Sequence, residues 1–228
     1  MTRVNVIAEG QTEVSFVNDV LAPELWPREV YLTAILIGVP GHKGGRPNYA
    51  RLKKDVLIQL KQDPGVYCTT MLDLYGLGAG FPGTPLPANL TGIEKASRIE
   101  EAVKADICDT IPGRRPDIRF LPYIQLHEYE GLLFSDPSAF AASLDRPDLA
   151  QPFEAIRGEF ATPEDIDDSP DGAPSKRVIR AHPRYRKVLQ GTKAAHAIGM
   201  PSIRRECPHF RAWVERLEGL GTFRFPGA

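Results

Sequence analysis

The feature that most constrains the fold is an alternation of short apolar runs with segments of helical periodicity over roughly the first 135 residues. The apolar runs lie at residues 4–8, 31–39, 67–74 and 120–126, and the helical segments at 12–25, 49–62 and 93–111. Strands that alternate with helices in this way form a parallel sheet with helices on its faces. The sequence therefore predicts an α/β fold with a mainly parallel sheet.

Acidic residues stand at the ends of three of these predicted strands. Glu9 follows the first strand, Asp73 ends the third, and Glu128 and Glu130 follow the fourth. Glu13 lies four residues after Glu9, in the first turn of the next predicted helix, which we expect to begin at an N-cap residue, Thr12. The carboxyl ends of parallel strands meet at one edge of the sheet, where ligands bind. We therefore expect these five carboxylates to lie together, and we call them the acidic edge.

Carboxylates that are held close together resist ionisation unless a cation lies between them. Their hard oxygen ligands suit Mg²⁺ or Mn²⁺, and two such ions can activate water and stabilise the leaving oxygen in phosphodiester cleavage. The alternative is that these are ordinary acidic loops on a protein surface. The sequence favours a site that binds Mg²⁺ or Mn²⁺ or phosphate, because three separate strands each end in an acid.

Charge is distributed unevenly in the rest of the chain, although the net charge is only -1. Residues 159–171 hold six acids and no Lys or Arg, whereas residues 176–211 hold ten Lys or Arg and one acid, Glu206. These patterns predict an α/β domain at 1–158, an acidic loop or linker at 159–175, and a basic helical region at 176–228 that packs on the first domain.

The basic region has three interpretations. It binds a nucleic-acid backbone, with Tyr185 stacked on a base; it pairs with the acidic stretch; or it docks onto a partner protein. For Lys176, the functional role would be to stabilise charge on a phosphate, and the alternative is a solvated surface lysine. A loop with His42, Lys43 and Arg46 is a further possible phosphate contact. The candidate nucleic-acid-binding residues are Ser175, Lys176, Arg177, Arg180, Arg184, Arg186 and Lys187.

Three motifs occur in this order: IAEGQTE at 7–13, LDLYG at 72–76 and LHEYEGLLF at 126–134. Together they resemble the motifs of domain-of-unknown-function family 4276, a Toprim-like family. The resemblance covers most of the chain, including 174–177. It implies a Toprim-like fold, in which Glu9 and Asp73 bind a divalent metal. Resemblance to the overcoming-lysogenization-defect nucleases adds Glu13 to the metal ligands.

Those nucleases also use a later acid and a serine–lysine element. The later acid matches Glu128 or Glu130, and the serine–lysine element matches Ser175 with Lys176. The sequence departs from the Toprim pattern at Tyr75, where many relatives have the second acid of a D-x-D motif. Three consequences are open. The site binds one metal, a second metal is held by Glu128 or Glu130, or catalysis has been lost. The resemblance also implies an ABC-like ATPase partner and a role in bacterial defence.

The leading hypothesis is therefore a metal-dependent nuclease in which Glu9, Asp73, Glu128 and Lys176 are catalytic. The alternatives are a non-catalytic nucleic-acid-binding or regulatory subunit of an ATPase, and another phosphotransfer enzyme. The phosphate-loop motif of nucleotide triphosphatases does not occur in the sequence. We expect a cytoplasmic location and no membrane partner, because the N-terminus reaches Glu9 too early for a signal peptide. The sequence leaves the oligomeric state open.

Overall fold

A central parallel sheet organises the molecule, for which a computed structural model describes residues 1–38, 47–78, 80–166 and 172–222. Its strands are β1 (Thr2–Ala8), β2 (Val30–Leu36), β3 (Val66–Asp73), β4 (Phe120–Leu121) and β5 (Ile124–Gln125). The order is β2-β1-β3-β4, with β5 also paired to β3, and every pairing is parallel. This arrangement confirms the predicted α/β fold with a mainly parallel sheet.

The prediction of one continuous fourth strand over residues 120–126 is wrong. The segment is two short strands, β4 and β5, separated by Pro122 and Tyr123. Proline has no amide hydrogen for the ladder, so the pairing with β3 is interrupted at Pro122. The hydroxyl of Thr70 bridges the gap, because it donates to the Tyr123 carbonyl at 2.7 Å and accepts from the Tyr123 amide at 2.9 Å.

Helices cover the sheet in the first part of the chain as the periodicity predicts. They are α1 (Gln11–Phe16), α2 (Ala22–Leu25), α3 (Tyr49–Gln62), α4 (Gly92–Thr110) and α5 (Pro116–Arg119), with a π-helical turn at Val17–Leu21 between α1 and α2. The expected N-cap at Thr12 is wrong: Gly10 is the N-cap residue of α1, and no side chain caps that helix. Gly10 also passes close to the Glu13 side chain, since a Cβ placed on Gly10 would lie 2.9 Å from Glu13 Oε2.

The chain from residue 130 onward is helical and packs onto the sheet. Its helices are α6 (Glu130–Leu133), α7 (Pro137–Ser143), α8 (Ala150–Gly158), α9 (Pro174–Ala181), α10 (Lys187–Ile198), α11 (Met200–Glu206) and α12 (Pro208–Gly219). Trp213 of α12 is fully buried and stacks on Tyr123, with ring centroids 4.3 Å apart. Its indole N–H donates to the Thr69 hydroxyl of β3 at 2.9 Å. One apolar cluster therefore joins α12 to the sheet.

Part of the acidic stretch is packed into this core. Glu164 is only 1% exposed, and its carboxylate accepts hydrogen bonds from the His209 and Phe210 amides in the first turn of α12. Glu159 forms an ion pair with Arg177 at 2.9 Å, so one acid of the stretch does pair with the basic region. Residues 167–171 lie outside the described part of the chain.

None of the helices in the described ranges is both long enough and apolar enough to span a bilayer. The three cysteines, Cys68, Cys108 and Cys207, are free thiols.

Candidate functional site

The ends of β1 and β3 bring two acids of the acidic edge into direct contact. The Asp73 amide donates a hydrogen bond to Glu9 Oε2 at 2.9 Å. After Asp73 the chain makes a tight turn, in which the Gly76 amide donates to the Asp73 carbonyl at 3.0 Å. Gly76 lies against the Glu9 carboxylate, because a Cβ at this position would approach Glu9 Oε1 to 2.6 Å. The Glu9 carboxylate is thus held between the Asp73 amide and the backbone of Gly76.

The five carboxylates form two layers of different depth. Glu13 in α1 and Glu130 at the start of α6 are buried, with 6% and 2% of their surface exposed. Glu9, Asp73 and Glu128 are partly exposed and form the front layer, although Asp73 Oδ1 is itself buried. A ligand that enters from solvent would therefore meet the front layer first.

A distant segment fixes the front-layer acid Glu128. The Ser175 amide, in the first turn of α9, donates to Glu128 Oε2 at 2.8 Å. His127, just before Glu128, has a left-handed φ of 59° that turns the chain out of β5. The glutamate that follows the last strand is therefore positioned by both a backbone turn and a hydrogen bond from the C-terminal third.

Burial and repulsion by neighbouring carboxylates make Glu9, Glu13, Asp73 and Glu130 reluctant to ionise. Burial raises the pKa of Glu9 to about 7, and the charges of Glu13 and Glu128 act in the same direction. Burial likewise raises the pKa of Glu130 to about 7. For Glu13, burial raises the pKa, and for Asp73 it raises the pKa well above the ordinary value, with the charges of Glu13 and Glu9 adding to the effect on Asp73. Clusters of carboxylates with raised pKa values are typical of functional sites.

Lys187 is the basic residue that contacts the acidic edge. Its Nζ lies 3.5 Å from Glu130 Oε1. Burial alone would lower the pKa of Lys187, but the Glu130 and Glu128 carboxylates outweigh that effect and raise it. One lysine balances only part of the negative charge that five ionised carboxylates would carry. The ionised cluster would therefore bind a further cation favourably.

The chemistry of this donor set fits a hard divalent ion, although the side chains do not converge on one point. Asp73 Oδ1 is a buried oxygen without a hydrogen-bond partner among the described residues, whereas the buried Glu130 Oε1 lies 3.5 Å from the Lys187 ammonium. Orphaned buried carboxylate oxygens are costly unless a cation or water satisfies them. In the described ranges, no three His, Cys, Asp or Glu side chains are arranged to hold a metal ion as they stand. Side-chain rotation would be required to complete a coordination shell.

The other candidate nucleic-acid-binding residues lie in different settings. The side chain of Lys176 is exposed, and no ion pair to an acid is described for it. Arg177 pairs with Glu159 and packs over the Phe160 ring, with 5.1 Å from the guanidinium carbon to the ring centroid. The side chains of Arg180, Arg184 and Arg186 are exposed.

Tyr185, which the sequence suggested for base stacking, is buried. Its ring packs against Phe140. Its hydroxyl lies 3.0 Å from where a Cβ on Gly191 would be. The loop residues His42, Lys43 and Arg46 lie outside the described residues.

Sequence reasoning missed two features of this site. It assigned Lys187 to backbone binding and did not foresee its contact with Glu130, which depends on how α10 meets α6. It treated Tyr75 only as a missing acid, whereas the structure exposes 46% of this residue on the turn between Asp73 and Gly76, both of which contact Glu9. The glycine after Tyr75 was the available signal, since a glycine two or three residues beyond a strand end often marks close backbone approach.

Comparison with known proteins agrees with the motifs. The family model described as "Domain of unknown function (DUF4276)" matches residues 8–218, which include all five acids and Lys187. The C-terminal region of the OLD protein of Xanthomonas campestris pv. campestris is a similar solved structure, with 12% identity, a TM-score of 0.45 and coverage of 97% of each chain. No curated protein matches the sequence. Because the family model spans nearly the whole chain, the resemblance seen in the motifs is confirmed, and the protein belongs to the DUF4276 family.

Proposed function

We propose that this protein is a metal-dependent nuclease that uses the acidic edge to hydrolyse a phosphodiester. The observation that carries the proposal is the excess of carboxylates at one edge of the sheet. Five acids from separate elements lie together with one lysine, and the buried Asp73 Oδ1 has no hydrogen-bond partner in the described chain. Such a cluster needs a cation, and Mg²⁺ or Mn²⁺ prefers these ligands.

Glu9, Asp73 and Glu128 would hold the ion, because Glu9 and Glu128 are partly exposed and the buried Asp73 Oδ1 has no hydrogen-bond partner among the described residues. When bound, a divalent ion lowers the pKa of water and stabilises charge on phosphate oxygens. Glu130, with a pKa of about 7, is suited to accept a proton near neutral pH, and Glu13 lies beside it in the buried layer.

Lys187 takes the role that the sequence gave to Lys176. Its ammonium group lies next to Glu130 and would stabilise the negative charge that builds on the phosphate during attack. Lys176 follows Ser175, the residue that positions Glu128, and its exposed side chain is suited to contact the nucleic-acid backbone further from the reacting phosphate. Exposed Arg180, Arg184 and Arg186 would extend that contact.

A role in bacterial defence, together with an ABC-like ATPase, is the wider setting that we propose. Its support is the resemblance to the Toprim-like nucleases, from which it follows by analogy alone. The cytoplasmic location that the sequence predicts fits this setting.

A second candidate, a nucleic-acid-binding subunit without catalysis, is favoured by one observation. The described acids do not converge on a point, and the position of the second D-x-D acid is held by Tyr75, whose side chain is exposed. A phenol is a poor ligand for Mg²⁺, so Tyr75 does not supply the ligand that the second acid of a D-x-D motif would provide.

The test is cleavage of plasmid DNA, single-stranded DNA and structured RNA by the purified chain, with Mg²⁺, Mn²⁺ or chelator. Glu9→Gln is the informative variant, because its amide oxygen can still accept the hydrogen bond from the Asp73 amide. Glu101→Gln, an exposed glutamate on α4, is the matched control. Nuclease action requires metal-dependent cleavage that Glu9→Gln abolishes and Glu101→Gln retains.

Calorimetry separates the remaining outcomes. Mg²⁺ or Mn²⁺ binding by the wild type but not by Glu9→Gln, without cleavage of any substrate, would favour the binding subunit or a nuclease that requires its partner. Neither cleavage nor metal binding would refute the proposed function.

A further inference from the structure

The turn after β3 places an exposed aromatic ring beside the acidic edge. Tyr75 lies between two residues that touch the same carboxylate: the Asp73 amide donates to Glu9 Oε2 at 2.9 Å, and Gly76 packs against Glu9 Oε1. The tyrosine side chain is nevertheless 46% exposed. It therefore presents an exposed ring at the same end of the sheet as Glu9 and Asp73.

The backbone around Tyr75 is held firmly. The Leu74 amide donates to the Gln125 carbonyl of β5 at 2.9 Å, and the Gly76 amide donates to the Asp73 carbonyl at 3.0 Å. Leu74 and Leu77, on either side, pack against the apolar cluster beneath the sheet edge. An aromatic side chain on a turn fixed in this way loses little conformational entropy when a ligand covers it.

The position of Tyr75 distinguishes it from the other exposed aromatic residues of the described chain. Trp26 and Tyr31 are exposed as well, but they lie before and at the start of β2, where Tyr31 pairs with Arg3 near the amino end of β1. They therefore lie at the opposite end of the strands from the carboxylates. Tyr75 is the exposed aromatic ring at the acidic end among the residues that the structure describes.

Cations accompany the ring at this end of the molecule. The α9 segment that positions Glu128 through the Ser175 amide also carries the exposed side chains of Lys176 and Arg180. An aromatic platform together with cations that follow a backbone is the arrangement by which proteins bind single-stranded nucleic acid. In a duplex, by contrast, the faces of the bases are covered by their neighbours in the stack.

We propose that Tyr75 stacks on an unpaired nucleobase next to the phosphate at the acidic edge, and that the ligand is therefore single-stranded nucleic acid. This inference rests on the proposed function only in that it takes a phosphodiester as the ligand of the carboxylates. It also gives Tyr75 a role that a second aspartate at this position would not provide.

Fluorescence anisotropy with labelled oligonucleotides tests the stacking. The probes are a 12-nucleotide oligo-dT, an oligo-U of the same length, a strand of abasic sites with the same number of phosphates, and a blunt duplex. Ca²⁺ replaces Mg²⁺ so that the strands remain intact. The variants are Tyr75→Ala and Tyr75→Phe, with Tyr31→Ala as the matched control at the other end of the sheet.

Stacking on an aromatic side chain contributes about 1–3 kcal/mol per base, so Tyr75→Ala should weaken binding of the single strands about tenfold or more. Tyr75→Phe and Tyr31→Ala should bind within about twofold of the wild type, because the stacking ring is retained. Affinity for the abasic strand and the duplex should be the same for the wild type and Tyr75→Ala. A preference for oligo-dT or oligo-U in the wild type would identify DNA or RNA as the ligand.

Two results would overturn the inference: wild-type binding of both single strands no tighter than of the abasic strand, or equal binding by Tyr75→Ala and the wild type. These failures are distinct from failure of the nuclease proposal. Cleavage that depends on Glu9 but not on Tyr75 would refute stacking alone. Single-strand binding that depends on Tyr75, without cleavage or metal binding, would refute the nuclease alone.

Discussion

The metal-free protein should lose stability as the pH rises from 5 to 8, because Glu130 binds its proton more tightly in the folded state. Its pKa is about 7 in the fold against an ordinary value of 4.5, and its side chain is only 3% exposed. Below pH 4.5 both states are protonated, and the group has no effect on the free energy of unfolding. Between pH 4.5 and 7 the unfolded chain releases this proton first, so rising pH favours unfolding.

The size of the effect follows from the shift in pKa. A difference of about 2.5 pKa units at 1.36 kcal/mol per unit corresponds to about 3 kcal/mol of stability lost by pH 7. For a chain of this length, 1 kcal/mol changes the melting temperature by about 2–4 °C, so Glu130 alone accounts for about 6–12 °C. Glu9, whose pKa is also raised to about 7, acts in the same direction.

Thermal unfolding of the apo protein between pH 5 and pH 8 measures this slope. Glu130→Gln removes one of the titrating groups and should melt with a shallower dependence on pH, whereas the exposed control Glu101→Gln should retain the wild-type slope. Addition of 10 mM Mg²⁺ should raise the melting temperature at pH 8 more than at pH 5, because the ion binds the ionised carboxylates. A melting temperature that is flat or rises with pH, or equal slopes in wild type and Glu130→Gln, would refute the reasoning.

Two further substitutions probe the geometry of the site. Gly76→Ala would place a Cβ 2.6 Å from Glu9 Oε1. The carboxylate would have to move away by roughly 0.8 Å to reach an ordinary contact distance. We expect cleavage to fall by about 100-fold in a kinetic assay, while Gly113→Ala, where no atom lies within 4 Å, should leave it unchanged. Lys187→Met removes the cation beside Glu130 and should tighten Mg²⁺ binding several-fold in calorimetry while it slows cleavage. An unchanged Mg²⁺ affinity in that variant would show that Lys187 does not compete with the ion.

Short apolar runs were sufficient to predict the sheet, because a strand buried on both faces is mostly apolar along its length. β3 shows this most clearly, since it is buried from Val66 to Leu72 and ends at the partly exposed Asp73. The parallel order of these strands also predicts that Glu9, Asp73 and Glu128 share one edge of the sheet. The exception was the interruption at Pro122, a residue whose missing amide hydrogen is visible in the sequence.

The environment of the basic residues could not be predicted in the same way. Arg184, Tyr185 and Lys187 lie within four positions of each other, yet the first is exposed, the second is buried against Phe140, and the third contacts Glu130. Their settings are determined by which helices pack against α10, and these contacts are distant in sequence. Local composition predicts a charged surface there but not which residue of it reaches the carboxylates.

The packing of the C-terminal helices onto the sheet has a consequence for how the protein is made. Chains emerge from the ribosome N-terminal end first, at about 5–20 residues per second, and domains fold as units. Glu9 and Asp73 appear early, but the Ser175 amide that positions Glu128, the lysine at 187 and the Trp213 indole that joins α12 to β3 all appear late. The nascent chain therefore carries its acids without an assembled edge. For a nuclease, this order of synthesis would protect the host's own messenger RNA and chromosome from a half-made product.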